Sequence, residues 1–147
     1  MTSAVEVVEI AAADTHALRL AVLRFDTPTK EVVFPEDELP GSWHLGARLD
    51  GELVGTSSWV PRDHEGEHAV QLRGMATARH LQGSGLGGVL LERGCEVAAE
   101  RGFPVVWARA RDAALAFYER HGFEVIGDGF VDQATQLPHH LVVRRLG

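Results

Sequence analysis

Thr77-Ala78-Arg79-His80-Leu81-Gln82-Gly83-Ser84-Gly85-Leu86-Gly87-Gly88 joins a strand-like run to a helix-like run, and its reading decides the fold. The amides of a helix's first turn have no intrahelical acceptor and carry the positive end of the dipole. Glycines placed there let an anion approach the backbone closely. The stretch therefore reads as a phosphate cradle, and the chain as one that binds a phosphorylated cofactor. Read as Gly83-x-Gly85-x-x-Gly88 it also fits the dinucleotide fingerprint, and Gly-rich turns without ligands are common.

The flanking residues discriminate. Upstream, Ala69 to Thr77 reads as a buried strand, and Ala78 to Gln82 separate it from Gly83, whereas a dinucleotide fold feeds its strand almost directly into the first glycine. Downstream, Pro104 to Ala110 is another strand. Asp112 is placed to cap a short helix, Ala113 to His121, which Gly122 closes and which carries Tyr118.

At this point the chain resembles the GNAT superfamily, the acetyl-CoA-dependent N-acetyltransferases. The family's pyrophosphate loop, Arg/Gln-x-x-Gly-x-Gly/Ala, looks like Gln82-Gly83-Ser84-Gly85-Leu86-Gly87. Its Phe-Tyr-x-x-x-Gly-Phe helix exit looks like Phe117-Tyr118-Glu119-Arg120-His121-Gly122-Phe123. The two motifs agree in order and spacing and span the region from Gln71 to Phe123; the N-terminal half resembles the family in element order only.

The resemblance implies an α/β fold with a mixed, mostly antiparallel central sheet of about six to seven strands covered by helices. It implies acetyl-CoA as cosubstrate and no metal. The pyrophosphate would lie on Gln82, Gly83, Ser84, Gly85, Leu86, Gly87 and Gly88. The pantetheine arm would pair with the strand backbone at Met75, Ala76 and Thr77, where an amide near Met75 can also face the thioester oxyanion. Tyr118 aligns with the tyrosine that returns a proton to the departing thiolate, and a phenol with an unperturbed pKa of about 10 holds that proton at neutral pH. Arg109 stands where many members place an Asn. As a longer, donor-only cation it reads as a contact to a CoA phosphate or to an acidic acceptor.

The expected reaction is direct acetyl transfer to a primary amine of a small-molecule or protein acceptor in a ternary complex. A non-catalytic acyl-CoA or nucleotide-binding sensor built on the same cradle is the competing reading, and Tyr118 favours the enzyme. The general base stays open between Glu36, Asp37, His44, His139 and a water chain.

Composition agrees. A chain of 147 residues, 45% of them hydrophobic, reads as a single domain able to bury a core without staples. A net charge of −7 argues against a nucleic-acid partner and suits a small or cationic acceptor. With neither a long apolar run nor a charged-then-apolar leader, no membrane span or secretory signal is expected. The single Cys95 suits a reducing cytoplasm and reads as helix packing, and a homodimer is compatible with the composition.

Along the chain, Val5 to Ile10 is a strand, and Asp14 caps a helix to Arg24 with Ala17, Leu18, Ala21 and Val22 inward. Phe25 to Gly41 lacks periodicity and reads either as a wall of the acceptor site or as a solvated acidic loop. Trp43 to Leu49 and Leu53 to Val60 form a hairpin around Asp50-Gly51, with Trp43, His44 and Trp59 as core or pocket lining. Leu86 to Arg101 is a helix with Leu86, Leu90, Gly94, Val97 and Ala98 inward and Glu92, Arg93, Glu96 and Glu100 wet. Phe123 to Ile126 and Leu141 to Arg145 are strands joined by a loop containing Pro138-His139-His140. His64-Glu65-Gly66-Glu67-His68 spells the zinc-protease motif, but Pro61 and Gly66 disfavour the helix that motif needs, so the segment reads as an exposed polar turn.

Overall fold

The structure, a computed structural model, describes residues 5–147. Seven strands form one sheet: β1 (Val5–Ile10), β2 (Trp43–Leu49), β3 (Glu52–Pro61), β4 (Val70–Thr77), β5 (Val105–Arg111), β6 (Glu124–Val131) and β7 (Pro138–Arg145). Their order is β1-β2-β3-β4-β5-β7-β6, and all neighbours are antiparallel except β4 and β5. This is the mixed, mostly antiparallel sheet that the sequence implied.

The parallel pair places the site. β4 and β5 are in register only at Val70↔Val106 and Gln71↔Trp107, and then part. Just past that point β4 is bulged against β3: Thr56 pairs with Ala76 and Ser58 with Arg73, so Gly74 and Met75 together face Ser57. Gly74 takes φ +58° there, a conformation that only glycine adopts cheaply. A bulge bends its strand, and here the bend opens a gap in the middle of the sheet.

Alternation along β3 sorts the two covering layers. Trp59 faces helix α2 (Leu86–Glu100), where a Cβ added to Gly94 would stand 1.9 Å from its ring. The helix therefore lies on the sheet through a residue without a side chain. The adjacent Ser58 faces the opposite side, where its hydroxyl accepts from Arg19 at 2.7 Å. Helix α3 (Leu115–Arg120) ends in a Schellman motif: the Phe123 amide donates to the Tyr118 carbonyl, the Gly122 amide to that of Glu119, and the rings of Phe123 and Tyr118 meet at 5.2 Å.

Several local expectations are corrected. Asp14 is not the cap; it sits inside the first turn and accepts from the Ala11 amide at 3.1 Å. The segment it opens is irregular, 3-10 over Ala12–Thr15, α over His16–Leu18 (α1) and π over Arg19–Leu23. Ala17 and Ala21 are exposed, and the fully buried residues are Thr15 and Arg19. A charged residue is inward because the other layer offers it Asp37, Ser58 and the Val32 carbonyl. Asp112 does not cap the next helix either, since its carboxylate lies 2.7 Å from His140 Nδ1.

Pro138-His139-His140 is not part of a loop but the start of β7, paired with Val131, Phe130 and β5. Gly127 and Gly129, at a register shift in β6, had hidden the continuity of that hairpin. Glu92 is half-buried rather than wet, gripped by His121 at 2.7 Å and Arg144 at 3.0 Å. His64 is buried against Trp107 in a tight turn bridged to Glu67, while His68 stacks on Phe103, so the two imidazoles pack on different rings.

Candidate active site

Two spaces flank the parting of β4 and β5. The larger is a cleft of about 1260 Å³ bordered by Met75, Ala76 and Thr77 of β4, by Gln82, Gly83, Gly85, Gly87 and Gly88, and by Phe117, Tyr118 and His121 of α3 and its exit. The backbone of the Gly-rich loop is prepared for an anion. Its amides at Leu81, Gln82 and Ser84 are spent on nearby carbonyls, and the first helical bond runs from Val89 to Gly85 at 3.2 Å. The amides of Gly83, Gly85, Gly87 and Gly88 have no acceptor among the described residues. At Gly83 and Gly85 an added Cβ would meet nothing within 4 Å, so the room beside the backbone is open. That combination fits a diphosphate.

The remaining loop residues hold the cradle in shape. Gln82 Nε2 donates to the Thr77 carbonyl at 3.1 Å, tying the loop to the end of β4. Ser84 turns its hydroxyl to the Leu81 carbonyl, and Leu86 is buried in the core, so neither side chain borders the cleft. Gly88 has a packing reason too, for a Cβ there would lie 2.9 Å from the His121 ring.

Tyr118 is buried between Phe117 and Phe123, with ring centroids at 5.3 Å and 5.2 Å. Its hydroxyl makes no hydrogen bond among the described residues. Burial first, and the neighbouring Cys95 second, push its pKa up to about 12, so the phenol keeps its proton. Cys95 is itself buried, its thiol pushed up to about 11 chiefly by burial, which suits packing and not nucleophilic attack.

The second space, of about 270 Å³, is reached past the same residues: Met75, Ala114 and Tyr118 border both. Arg109 borders this smaller pocket and not the cleft; its Nη2 meets Asp132 at 3.1 Å and its guanidinium lies over Phe130. The irregular Phe25 to Gly41 segment contributes Phe34 to it. Asp132, Arg24 and Arg73 also border it and had no motif in the sequence; only the fold brings them together.

The candidate bases separate clearly. Glu36 is paired with Arg73 at 2.8 Å, Asp37 with Arg19 at 2.7 Å, and His44 Nδ1 lies 2.7 Å from the Ser58 hydroxyl; none of the three borders either space. Burial pushes the Asp37 carboxyl up, but Arg19's hydrogen bonds and charge outweigh it and hold the group low. Burial also lowers the His44 pKa. His139 alone of the four borders the pocket. Its Nδ1 lies 2.9 Å from the Leu137 carbonyl, and because a carbonyl only accepts, the proton is on Nδ1 and the Nε2 lone pair is left available in the neutral ring.

Comparison with known proteins places this geometry. Residues 7–123 match the model of the acetyltransferase (GNAT) family. The uncharacterized N-acetyltransferase YitI of Bacillus subtilis (strain 168) is 31% identical over 128 residues, 85% of this chain and 86% of that protein. Among solved structures, an acyl-CoA N-acyltransferase from Pseudomonas aeruginosa superposes with TM-score 0.79 at 24% identity, covering 96% of this chain and 99% of that one. A GNAT family acetyltransferase from Elizabethkingia anophelis, solved with acetyl-CoA bound, gives TM-score 0.71 at 17% identity over 97% and 98% of the two chains.

Proposed function

Since the chain belongs to the acetyltransferase (GNAT) family and is thus an acyltransferase, we propose that it moves the acetyl group of acetyl-CoA directly onto a primary amine within a ternary complex. The observation that carries the donor assignment is the set of unanswered amides at Gly83, Gly85, Gly87 and Gly88, open to a cleft large enough for CoA. Bound there, acetyl-CoA supplies the thioester carbonyl that an amine attacks.

The chain's own residues supply the rest. The loop amides and the dipole of α2 hold the diphosphate, and the backbone of Met75 to Thr77, freed from β5 by the splay, takes the pantetheine arm. His139 Nε2 accepts the proton that the acceptor nitrogen must lose as the C–N bond forms. Tyr118, which borders both spaces, gives its proton to the sulfur as the C–S bond breaks. Base and acid thus approach the reacting carbon from the two pockets that meet at Met75. Arg109 belongs on the acceptor side of this arrangement.

Thiol release that requires both acetyl-CoA and an amine is the expected result for the purified protein. Tight CoA binding with no thiol release across an amine library would leave a sensor in place of an enzyme.

Gly85→Val tests the cradle, with Gly102→Val as its control. Both glycines have φ near +90° and open space at Cβ, so valine strains the backbone at either place by about 1–3 kcal/mol. Only Gly85 borders the cleft. Gly85→Val is expected to raise the Michaelis constant for acetyl-CoA about tenfold or more, and Gly102→Val to lower the melting temperature without that kinetic change. Equal Michaelis constants in the two variants would remove Gly85 from the cofactor site.

A further inference from the structure

The smaller pocket is bordered mostly by positive charge. Arg24, Arg73, Arg109 and Arg111 border it, and Asp132 is the one carboxylate that does. Three of the guanidiniums are answered: Arg73 by Glu36 at 2.8 Å, Arg109 by Asp132 at 3.1 Å, and Arg111 by the Leu23 carbonyl at 2.6 Å with Asp26 at 3.7 Å.

Arg24 is different. It is 8% exposed, its Nε donates to the Glu31 carbonyl at 2.9 Å, and its Nη1 reaches the Leu23 carbonyl at only 3.4 Å. Among the described residues no carboxylate pairs with it and its Nη2 has no acceptor. Burial and the positive fields of Arg111, Arg73 and Arg19 press its pKa down against the opposing pull of Asp132. A buried guanidinium among like charges is costly unless an anion completes it. Arg24 and Arg73 both lie beside the Phe34 ring, at 5.4 Å and 5.0 Å from its centroid, and both border the same small space.

We propose that this space holds a carboxylate of the acceptor, bound by Arg24 in the positive field of the neighbouring Arg73, and that the acceptor is a free amino acid whose amine points to Met75 and Tyr118. A space of about 270 Å³ has room for a molecule of that size. The net charge of −7 is no guide here, because four arginines and one carboxylate border this space. The identity of the ligand as acceptor rests on the acyl-transfer reading; the anion site does not.

The test measures thiol release from acetyl-CoA with the α-amino acids, each beside its α-carboxamide, and with phosphoethanolamine and spermidine. At least one amino acid is expected to exceed its carboxamide in kcat/KM by about 10- to 100-fold, the scale of a charge-assisted hydrogen bond. Arg24→Gln should pull that ratio toward one while calorimetric CoA affinity is retained, and Arg24→Lys, which keeps the charge but loses the fork, should fall between.

Carboxamides or spermidine used equally well by the wild-type protein would overturn the proposal, as would preference for phosphoethanolamine or a ratio indifferent to Arg24→Gln. Calorimetry with N-acetylglycine in the presence of CoA separates the two readings. Arg24-dependent binding without thiol release from any amine would sink acyl transfer and keep the anion site. Thiol release with no carboxylate preference would do the reverse.

Discussion

Tyr118→Phe is expected to lower turnover about 10- to 1000-fold, the scale on which a positioned proton donor acts, and to leave the Michaelis constant for acetyl-CoA nearly unchanged. The substitution is clean because the ring's contacts with Phe117 and Phe123 survive it and the hydroxyl has no partner among the described residues to orphan. Stability should therefore hold. With its pKa pushed up to about 12 by burial, the phenol stays protonated through the range in which the protein is assayed. An alkaline fall in rate near pH 8 or 9 would then belong to another group, at about three to four pH units below this phenol. Single-turnover and steady-state rates with a saturating amine would read the effect. Normal turnover in Tyr118→Phe, with acetyl-CoA still bound, would remove Tyr118 as the acid and leave the cradle standing.

Asp37→Asn is expected to have the largest effect on stability. Arg19 and Asp37 face each other in two hydrogen bonds, at 2.7 Å and 2.9 Å, with side-chain exposures of 0% and 2%. Removing the carboxylate's charge leaves a guanidinium buried beside Phe34 and Ser58 with no counter-charge. Breaking one half of such a pair costs about 3–5 kcal/mol. For a chain of this size that is about 10 °C in melting temperature. Pairing Asp37→Asn with Arg19→Met should recover part of the loss, because the uncompensated charge is then gone. Losses that simply add would mean the two side chains are not coupled.

The same pair sets a pH dependence. Arg19 holds the folded-state carboxyl below its unfolded value of about 3.9, so the stabilisation is fully present above that value. It is lost as pH falls through the lower folded-state pKa. The stability gap between wild type and Asp37→Asn should accordingly be flat from pH 7 down to about 5 and close on further acidification. A gap that widened in acid would contradict the pairing.

Local chemistry explains which parts of the molecule were legible from residues alone. The hairpin at Asp50-Gly51, the helix opened by Gly85 and closed near Gly102, and the helix exit at Gly122-Phe123 all follow from turn conformations and end-capping that adjacent residues dictate. Burial of Leu86, Leu90, Gly94, Val97 and Ala98 follows from the 3.6-residue period. The unanswered amides of the loop follow from glycine spacing at a helix start, and Gly83, Gly85, Gly87 and Gly88 border the cleft.

Long-range compensation explains the rest. Arg19 breaks the apolar stripe of its helical segment, and nothing near it in sequence announces that Asp37 and Ser58 will meet it. The second pocket draws Arg24, Phe34, Arg73, Arg109, Asp132 and His139 from six places along the chain. His139 reads as a loop histidine because Gly127 and Gly129 interrupt the alternation of β6; strand pairing, a tertiary event, buries it, while its Nδ1 meets the Leu137 carbonyl close by in sequence. By itself, then, the sequence determined the order of elements and the glycine-rich turn with its open amides, since both depend on neighbours within a turn or two. Only the tertiary structure decided which guanidinium goes unanswered and which imidazole borders the smaller pocket, because charge balance in a pocket is a sum over residues that the chain keeps far apart.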